Sequence, residues 1–82
     1  MVFTSILIVE DEIIVAKDIQ NRLKRFGYNI STITSTGEEA IKQAAETKPD
    51  LVLMDIRLKG NIDGVEAAQK IYNNFNIIGS IP

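Results

Sequence analysis

The chain has 82 residues, of which 45% are hydrophobic and 24% are charged, as in an ordinary globular protein. A chain of this length forms one domain at most and buries only about 60% of its unfolded surface. Its net charge is −2 without a concentrated basic stripe, which argues against nucleic acid as the main partner.

Two missing residue types exclude further classes of chemistry. The sequence contains no cysteine and no histidine, so disulfides, thiolate metal sites and imidazole catalysis are excluded. No apolar run is long enough to span a bilayer, and no signal-peptide pattern is present. We therefore expect a cytoplasmic protein that has no membrane partner.

Short apolar segments alternate with helix-length segments, which is the pattern of βαβ units in a parallel sheet. The first strand is predicted from about Ser5 to Val9, and a helix follows from about Glu12 to Phe26. Gly27 stands where a helix C-cap is expected. The mixed pattern from Tyr28 to Ser35 indicates an edge strand. Residues that recur at helical spacing and are expected on the inward face of this helix are Ile13, Ala16, Ile19 or Gln20, Leu23 and Phe26.

A second helix and a third strand follow. Thr36 and Glu39 have the spacing of a capping box and predict a helix that runs to about Thr47. Pro49-Asp50 ends this helix and leads into a strand over Leu51 to Met54. The residues expected on the buried face of the second helix are Ala40, Ile41, Ala44 and Ala45.

The last part of the chain predicts a third helix and only the start of a fourth strand. Asp63 is placed to cap a helix from about Val65 to Asn74. Ile77-Ile78 would begin the fourth strand, and the sequence ends at Pro82. We find no repeat and no linker, so residues 1–82 are predicted to be a single domain. The residues expected on one face of the third helix are Val65, Ala68, Ile71 and Tyr72.

Acidic residues directly follow two of the predicted strands. Glu10, Asp11 and Glu12 follow the first strand, and Asp55 follows the third. The carboxyl ends of parallel strands are where such sheets bind ligands, so adjacent strands would bring these carboxylates together. Oxygen ligands without nitrogen or sulfur suit Mg²⁺, and an aspartate beside that metal can act as a phosphoryl acceptor. The alternative is an acidic first turn that merely favours the helix N-terminus, with Asp55 as a turn residue.

Three segments of the chain have a specific order and spacing. They are Ile6-Leu7-Ile8-Val9-Glu10-Asp11-Glu12, Leu51-Val52-Leu53-Met54-Asp55 and Asp63-Gly64-Val65-Glu66. In these segments the sequence resembles the receiver domain of two-component response regulators, and the resemblance covers the whole chain except about the last five residues. It implies a flavodoxin-like α/β fold, a three-layer parallel sheet, here truncated to about βαβαβα plus a stub of strand 4. The domain would then be a single partial receiver.

By this resemblance Asp55 is the phosphoacceptor, and Mg²⁺ is the cofactor. Asp11 would bind the metal directly, Glu10 through water, and Arg57 through its main-chain carbonyl. Glu12 would start the helix and would not be a ligand. No other cofactor is expected, since no P-loop or flavin-binding pattern is present.

The truncated pattern affects the residues expected to contact the phosphoryl group and the surface expected to be exposed. A receiver normally carries a Ser or Thr after its fourth strand and a Lys after its fifth, and neither can be assigned here, because Ser80 follows too few strand residues. We expect the third strand to form an apolar edge, because its usual further neighbours are missing. Self-association is therefore expected through that strand or through the truncated face.

Three functions follow from these observations. The first is a phosphoacceptor signalling domain, not an enzyme, that takes its phosphoryl group from a sensor histidine kinase or a phosphotransfer protein. The second is a receiver that cannot be phosphorylated and acts only as an interaction or assembly module. The third is a Mg²⁺-dependent phosphatase with an aspartate nucleophile, although Val9-Glu10-Asp11-Glu12 lacks the second acid at the spacing that such enzymes use.

Overall fold

Strands and helices alternate along the chain in the order that the sequence predicts. The computed structural model describes residues 4–54 and 62–80. Within these ranges every predicted element is present, with bounds within about two residues of those expected. The elements are β1 (Ser5–Val9), α1 (Ile13–Arg25), β2 (Asn29–Thr34), α2 (Gly37–Thr47), β3 (Leu51–Met54), α3 (Gly64–Phe75) and β4 (Ile78–Ser80).

The described strands form one parallel sheet in the order β2-β1-β3-β4. β1 lies between β2 and β3, and β2 is an edge strand, as predicted. The order 2-1-3-4 is that of flavodoxin-like doubly wound sheets.

One prediction about the sheet is wrong. β3 is not an exposed edge, because Leu51 to Leu53 pair with Ile78 to Ser80 of β4. The three residues Ile78 to Ser80 are enough to form β4, so even this short segment covers the backbone of β3. Self-association through the edge of β3 is therefore not supported, and self-association through the remaining apolar face stays a prediction.

The sheet lies between two helical layers. Successive side chains of a strand point to opposite faces, so β1 contributes to two cores. Leu7 and Val9 pack with α2 and α3, whereas Ile6 and Ile8 pack with α1. The predicted three-layer architecture is thus confirmed. The fully buried large side chains are Leu7, Ile8, Val9, Val52, Met54 and Ile71.

The helices bury narrower faces than their sequence pattern indicates. In α1 the side chain of Ala16 is fully buried, whereas Ile13 and Phe26 are exposed, contrary to prediction. Ile13 begins the helix and Phe26 is its C-cap, so both lie beyond the part of α1 that packs on the sheet. Ala45 is exposed as well, because it lies about 100° around α2 from the buried Ala44.

The face of α3 is also different from the predicted one. Ala67 and Ile71, one helical turn apart, are buried. Val65 and Tyr72 are exposed, contrary to prediction. Val65 lies about 200° around the helix from Ala67 and therefore points away from the sheet.

The predicted helix ends are confirmed by hydrogen bonds. The Thr36 Oγ1 accepts a hydrogen bond from the backbone N–H of Glu39 at 3.2 Å, and this caps α2. The Asp63 Oδ1 accepts one from the N–H of Glu66 at 2.8 Å and caps α3. Gly27 has a φ of +92°, which explains the glycine after α1. Within the described ranges, no helix has the length and apolar character needed to cross a membrane.

Candidate functional site

The backbone of β1 fixes where the acidic residues begin. Val9, the last residue of β1, is paired with Thr34 on one side and with Met54 on the other. The N–H of Glu10 donates a hydrogen bond to the Thr34 carbonyl at 2.9 Å, so the β1–β2 ladder continues one residue past β1. Glu10 is therefore held at the carboxyl edge of the sheet by main-chain geometry.

The three consecutive acidic residues have different environments. Glu10 and Asp11 are half-buried, and the Glu10 Oε2 atom is buried. Glu12 is exposed and is the N-cap of α1, although its side chain makes no capping hydrogen bond. Its carbonyl accepts the N–H of Ala16 at 2.9 Å, which is the first hydrogen bond of the helix. Glu12 therefore starts α1, as expected, and Glu10 and Asp11 lie between the end of β1 and the start of α1.

The register between β1 and β3 relates Glu10 and Asp11 to Asp55, the acidic residue that follows β3 in the sequence. Val9 is opposite Met54, so β1 and β3 end at the same edge of the sheet. Asp55 and Arg57 lie outside the described residues, and their predicted roles remain predictions. Within the described ranges no three acidic side chains come together as a metal site, so the predicted magnesium site depends on Asp55.

The residues that are described fit a magnesium ion. Glu10 and Asp11 supply carboxylate oxygens at one edge, without nitrogen or sulfur donors. Mg²⁺ binds through one or two carboxylates and keeps several of its waters. Asp11 is only partly buried, which leaves room for those waters, and Glu10 adds a second carboxylate at the end of β1.

A cavity of about 260 Å³ lies beside Glu10, on the α1 side of the sheet. Glu10 is the acidic residue among the described residues of its lining, and the rest of that lining is apolar. An apolar wall lowers the local dielectric response and strengthens the attraction of a carboxylate for a cation. The lining residues are Ile8, Val9, Glu10, Val15, Ile19, Leu53 and Met54.

The first turn of α1 places apolar side chains on the surface next to the acids. Ile13 is 62% exposed and Ile14 is 82% exposed. Sequence reasoning missed this surface because it assigned Ile13 to the inward face. A signal was present, since the three consecutive apolar residues Ile13-Ile14-Val15 cannot all face the same side of a helix.

Thr34 is a second feature that the sequence did not reveal. It ends β2 beside Glu10 and is 4% exposed. Its Oγ1 is buried without a hydrogen-bond partner in the part of the chain that the structure describes. The alternation of polar and apolar residues in β2 gave no indication that this hydroxyl would be enclosed.

The fold and the acidic edge define the class of protein, and a comparison with protein families agrees. Residues 6–79 match the family model of the response regulator receiver domain. The chain belongs to this family, whose members are signalling domains of two-component systems.

Individual relatives cover most of the chain. The phyllosphere-induced regulator PhyR of Methylorubrum extorquens is 36% identical over 75 residues, which are 90% of this chain and 28% of PhyR. The solved receiver domain of a modulated diguanylate cyclase from Desulfovibrio desulfuricans has a TM-score of 0.92 at 34% identity. The match covers 98% of this chain and 64% of that one. PhyR of Bartonella quintana, solved in complex with the anti-sigma factor NepR, has a TM-score of 0.86 at 33% identity. Here 95% of this chain and 32% of PhyR are covered.

The match to the curated relatives is limited to one part of each. The chain spans 28%, 27% and 32% of the first three of them. Their similarity therefore concerns the receiver domain, and the activities of the whole proteins do not follow from it.

Proposed function

We propose that this chain is a phosphoacceptor receiver domain that accepts a phosphoryl group on Asp55 from the phosphohistidine of a partner protein. Asp11 and Glu10 would hold the magnesium ion that this transfer needs, together with Asp55 and the main-chain carbonyl of Arg57. The observation that carries the proposal is the pairing of Val9 with Met54. It supports a single site because Glu10 and Asp55 directly follow these two paired residues in the sequence.

The transfer itself needs no base from this chain. A carboxylate oxygen of Asp55 attacks the phosphorus of the phosphoimidazole, a P–O bond forms and the P–N bond breaks. The imidazole nitrogen keeps the bonding electron pair and takes up a proton from solvent. The product is an aspartyl phosphate, one of the known covalent forms of carboxylate nucleophiles.

Glu10 and Asp11 would have a separate task. A magnesium ion would neutralise the charge that develops on the transferred phosphoryl oxygens. Glu10 and Asp11 would keep two negative charges at this edge, which attract the cation and would otherwise repel the phosphoryl group. The main-chain hydrogen bond from Glu10 to Thr34 holds the backbone of Glu10 at the carboxyl end of β1.

The phosphoryl group must come from another molecule, because the chain contains no histidine. The exposed Ile13 and Ile14 lie one turn from the acidic edge and are suited to contact a partner helix. A sensor histidine kinase or a phosphotransfer protein is the proposed donor. The Bartonella quintana PhyR complex shows that a relative binds a protein partner, and this supports a protein partner here.

The test is phosphorylation by acetyl phosphate, which needs no partner protein. The chain is incubated with acetyl phosphate and MgCl₂, and its intact mass is measured. We expect one added phosphoryl group in the wild type and none in Asp55→Asn. Asp18→Asn is the matched control, since Asp18 is an exposed aspartate of α1. Its adduct should equal that of the wild type.

The same experiment separates the proposal from the assembly module. A module that only binds other proteins gains no phosphoryl group, whether or not magnesium is present. An adduct that persists in Asp55→Asn would assign the modification to another residue and reject the proposal. An adduct that forms equally well with EDTA would reject the role of magnesium.

A further inference from the structure

The C-terminal end of α1 and the residues just after it carry exposed cations and exposed aromatic side chains. Lys24 and Arg25 are exposed, and Phe26 is 80% exposed. Tyr28, just beyond the helix, is 41% exposed. We call these four residues the basic–aromatic surface.

The charge of this surface differs from that of the whole chain. The chain has a net charge of −2, yet four of its nine Lys and Arg residues are on α1. Arg22 pairs with Asp18 at 3.2 Å. Neither Lys24 nor Arg25 has a salt bridge within the described ranges, so both of these cations remain available to a partner.

The helix macrodipole explains only part of this arrangement. Cations in the last turn of a helix stabilise it, which accounts for Lys24 and Arg25. It does not account for Phe26, since an aromatic side chain that is 80% exposed loses the free energy of burial. Aromatic residues and Arg, such as Phe26 and Arg25, are enriched in protein-binding surfaces relative to the rest of the surface.

A shallow groove next to Tyr28 can receive a side chain. It has a volume of about 360 Å³ and is lined by Lys24, Gly27, Tyr28 and Asn29. A Cβ on Gly27 would meet nothing within 4 Å, so the groove is open at this residue. One aromatic or large aliphatic side chain therefore has room between Tyr28 and Lys24.

We propose that the basic–aromatic surface binds an acidic protein segment that carries one large apolar side chain. The apolar side chain enters the groove beside Tyr28, and flanking carboxylates pair with Lys24 and Arg25. In protein interfaces a buried apolar anchor usually supplies most of the affinity, and the charged pairs around it supply specificity. α1 has 13 residues, so this surface lies about 20 Å along the helix from Glu10 and Asp11.

Other anionic partners fit the surface less well. Nucleic acid binding depends on many phosphate contacts, and two free cations supply too few. Membrane binding needs an apolar helix face that is free to enter lipid. In α1 that face is packed on the sheet through Ala16, Ile19 and Leu23. An acidic protein segment is the ligand whose charge and size match the basic–aromatic surface.

The test uses a synthetic probe and the whole chain. The probe is a fluorescein-labelled 12-residue peptide of Glu and Asp with one central Phe, and its binding is followed by fluorescence anisotropy at low ionic strength. We expect saturable binding that weakens with added salt. Replacing the central Phe with Ala, or all acids with Gln and Asn, should weaken binding at least about tenfold.

Variants of the chain assign the binding to this surface. Phe26→Ser and the double variant Lys24→Glu/Arg25→Glu should each weaken binding at least about tenfold. Lys42→Glu, an exposed cation of α2, is the matched control and should bind as the wild type does. Circular dichroism melting should show that every variant is folded, which is expected because these side chains are exposed.

Three results would overturn the proposal. The first is the absence of probe binding, and the second is equal binding by Phe26→Ser and the wild type. The third is tighter binding to anionic phosphatidylserine vesicles or to single-stranded oligonucleotide than to the peptide. Phosphorylation by acetyl phosphate serves as an independent readout, which these variants should leave unchanged, so failure here is distinct from failure of the phosphoacceptor proposal.

Discussion

Asp50 and Ser5 are joined by two hydrogen bonds at the amino ends of β3 and β1. The N–H of Ser5 donates to the Asp50 Oδ2 at 2.7 Å, and the N–H of Asp50 donates to the Ser5 carbonyl at 2.8 Å. The two residues are 45 positions apart in the sequence. Their pairing fixes the register of β1 and β3 at one end, and the same register places Val9 opposite Met54 at the other end.

Replacing Asp50 should therefore destabilise the sheet. Asp50→Ala removes the side-chain acceptor, and a hydrogen bond to an exposed carboxylate is worth about 1 kcal/mol of stability. Asp50→Asn keeps an oxygen acceptor and should therefore lose less stability than Asp50→Ala. The free energy of unfolding is measured by urea denaturation monitored by circular dichroism.

Asp18→Ala is the control for the loss of an aspartate. Asp18 makes an exposed salt bridge with Arg22 within α1, and such a pair is worth about 0.3–0.5 kcal/mol. If Asp50→Ala costs no more than Asp18→Ala, the pairing of Asp50 with Ser5 does not stabilise the register.

Gly37 should be intolerant of a side chain for a reason that differs from that at Gly27. A Cβ on Gly37 would lie 2.7 Å from the Ile62 Cγ1 and 3.1 Å from the Ala67 Cβ, where α2 and α3 meet. Such overpacking typically costs about 1–3 kcal/mol. A Cβ on Gly27 meets nothing within 4 Å. The loss of stability in Gly27→Ala therefore comes only from backbone strain at its φ of +92° and is about 1 kcal/mol.

A double variant separates the two causes. Ile62→Ala removes the atom that is too close, so it should cost less stability in a Gly37→Ala background than in the wild type. In a Gly27→Ala background its cost should be the same as in the wild type. Additive effects at Gly37 and Ile62 in denaturant melts would mean that the steric explanation is wrong.

Thr34→Val should leave the stability unchanged or increase it. The Thr34 side chain is enclosed, and within the described ranges its Oγ1 makes no hydrogen bond. Burying this hydroxyl therefore costs desolvation free energy that no hydrogen bond offsets. Valine has nearly the same shape and no hydroxyl, whereas Thr34→Ser keeps the hydroxyl and loses a methyl group. We expect a gain of up to about 1 kcal/mol for Val and a loss of about 1 kcal/mol for Ser. A lower melting temperature for Thr34→Val would show that the hydroxyl is bound.

The sequence predicted the order of elements well because strand and helix periodicities are local. The caps at Thr36 and Asp63 were predictable for the same reason, since each involves a residue three positions away. The hydrogen bonds between Ser5 and Asp50 were not, because they depend on which strands are neighbours. The neighbours of β3 were misjudged because a strand of three residues is too short to give a periodic signal.

The acidic edge was predictable only in part. Runs of apolar residues followed by acids indicate where charge leaves the sheet, and Glu10 and Asp11 lie there. The sequence could not indicate that the Glu10 Oε2 is buried or that an apolar cavity lies beside it, because both depend on the distance between α1 and β3. It also assigned Ile13 to the core, since a spacing pattern does not show where the sheet ends beneath a helix.

The acidic run at the end of β1 supplies a sharp test of magnesium binding. Asp11→Asn and Glu12→Gln each remove one negative charge from adjacent positions, but only Asp11 is proposed as a metal ligand. Binding to the folded state raises stability by RT ln(1 + [Mg²⁺]/Kd), about 2.7 kcal/mol at 100 times Kd. We expect MgCl₂ to raise the melting temperature of the wild type and of Glu12→Gln, and to leave that of Asp11→Asn nearly unchanged.

For Glu10→Gln we expect MgCl₂ to raise the melting temperature less than for Glu12→Gln and more than for Asp11→Asn. Glutamine keeps an oxygen acceptor for the water-mediated contact but loses the negative charge. CaCl₂ and NaCl at equal ionic strength are the salt controls. If Glu12→Gln loses as much of the magnesium effect as Asp11→Asn, the effect is general charge screening. The acidic run would then be only a favourable first turn for α1, and the proposed site would have no metal ligand on β1.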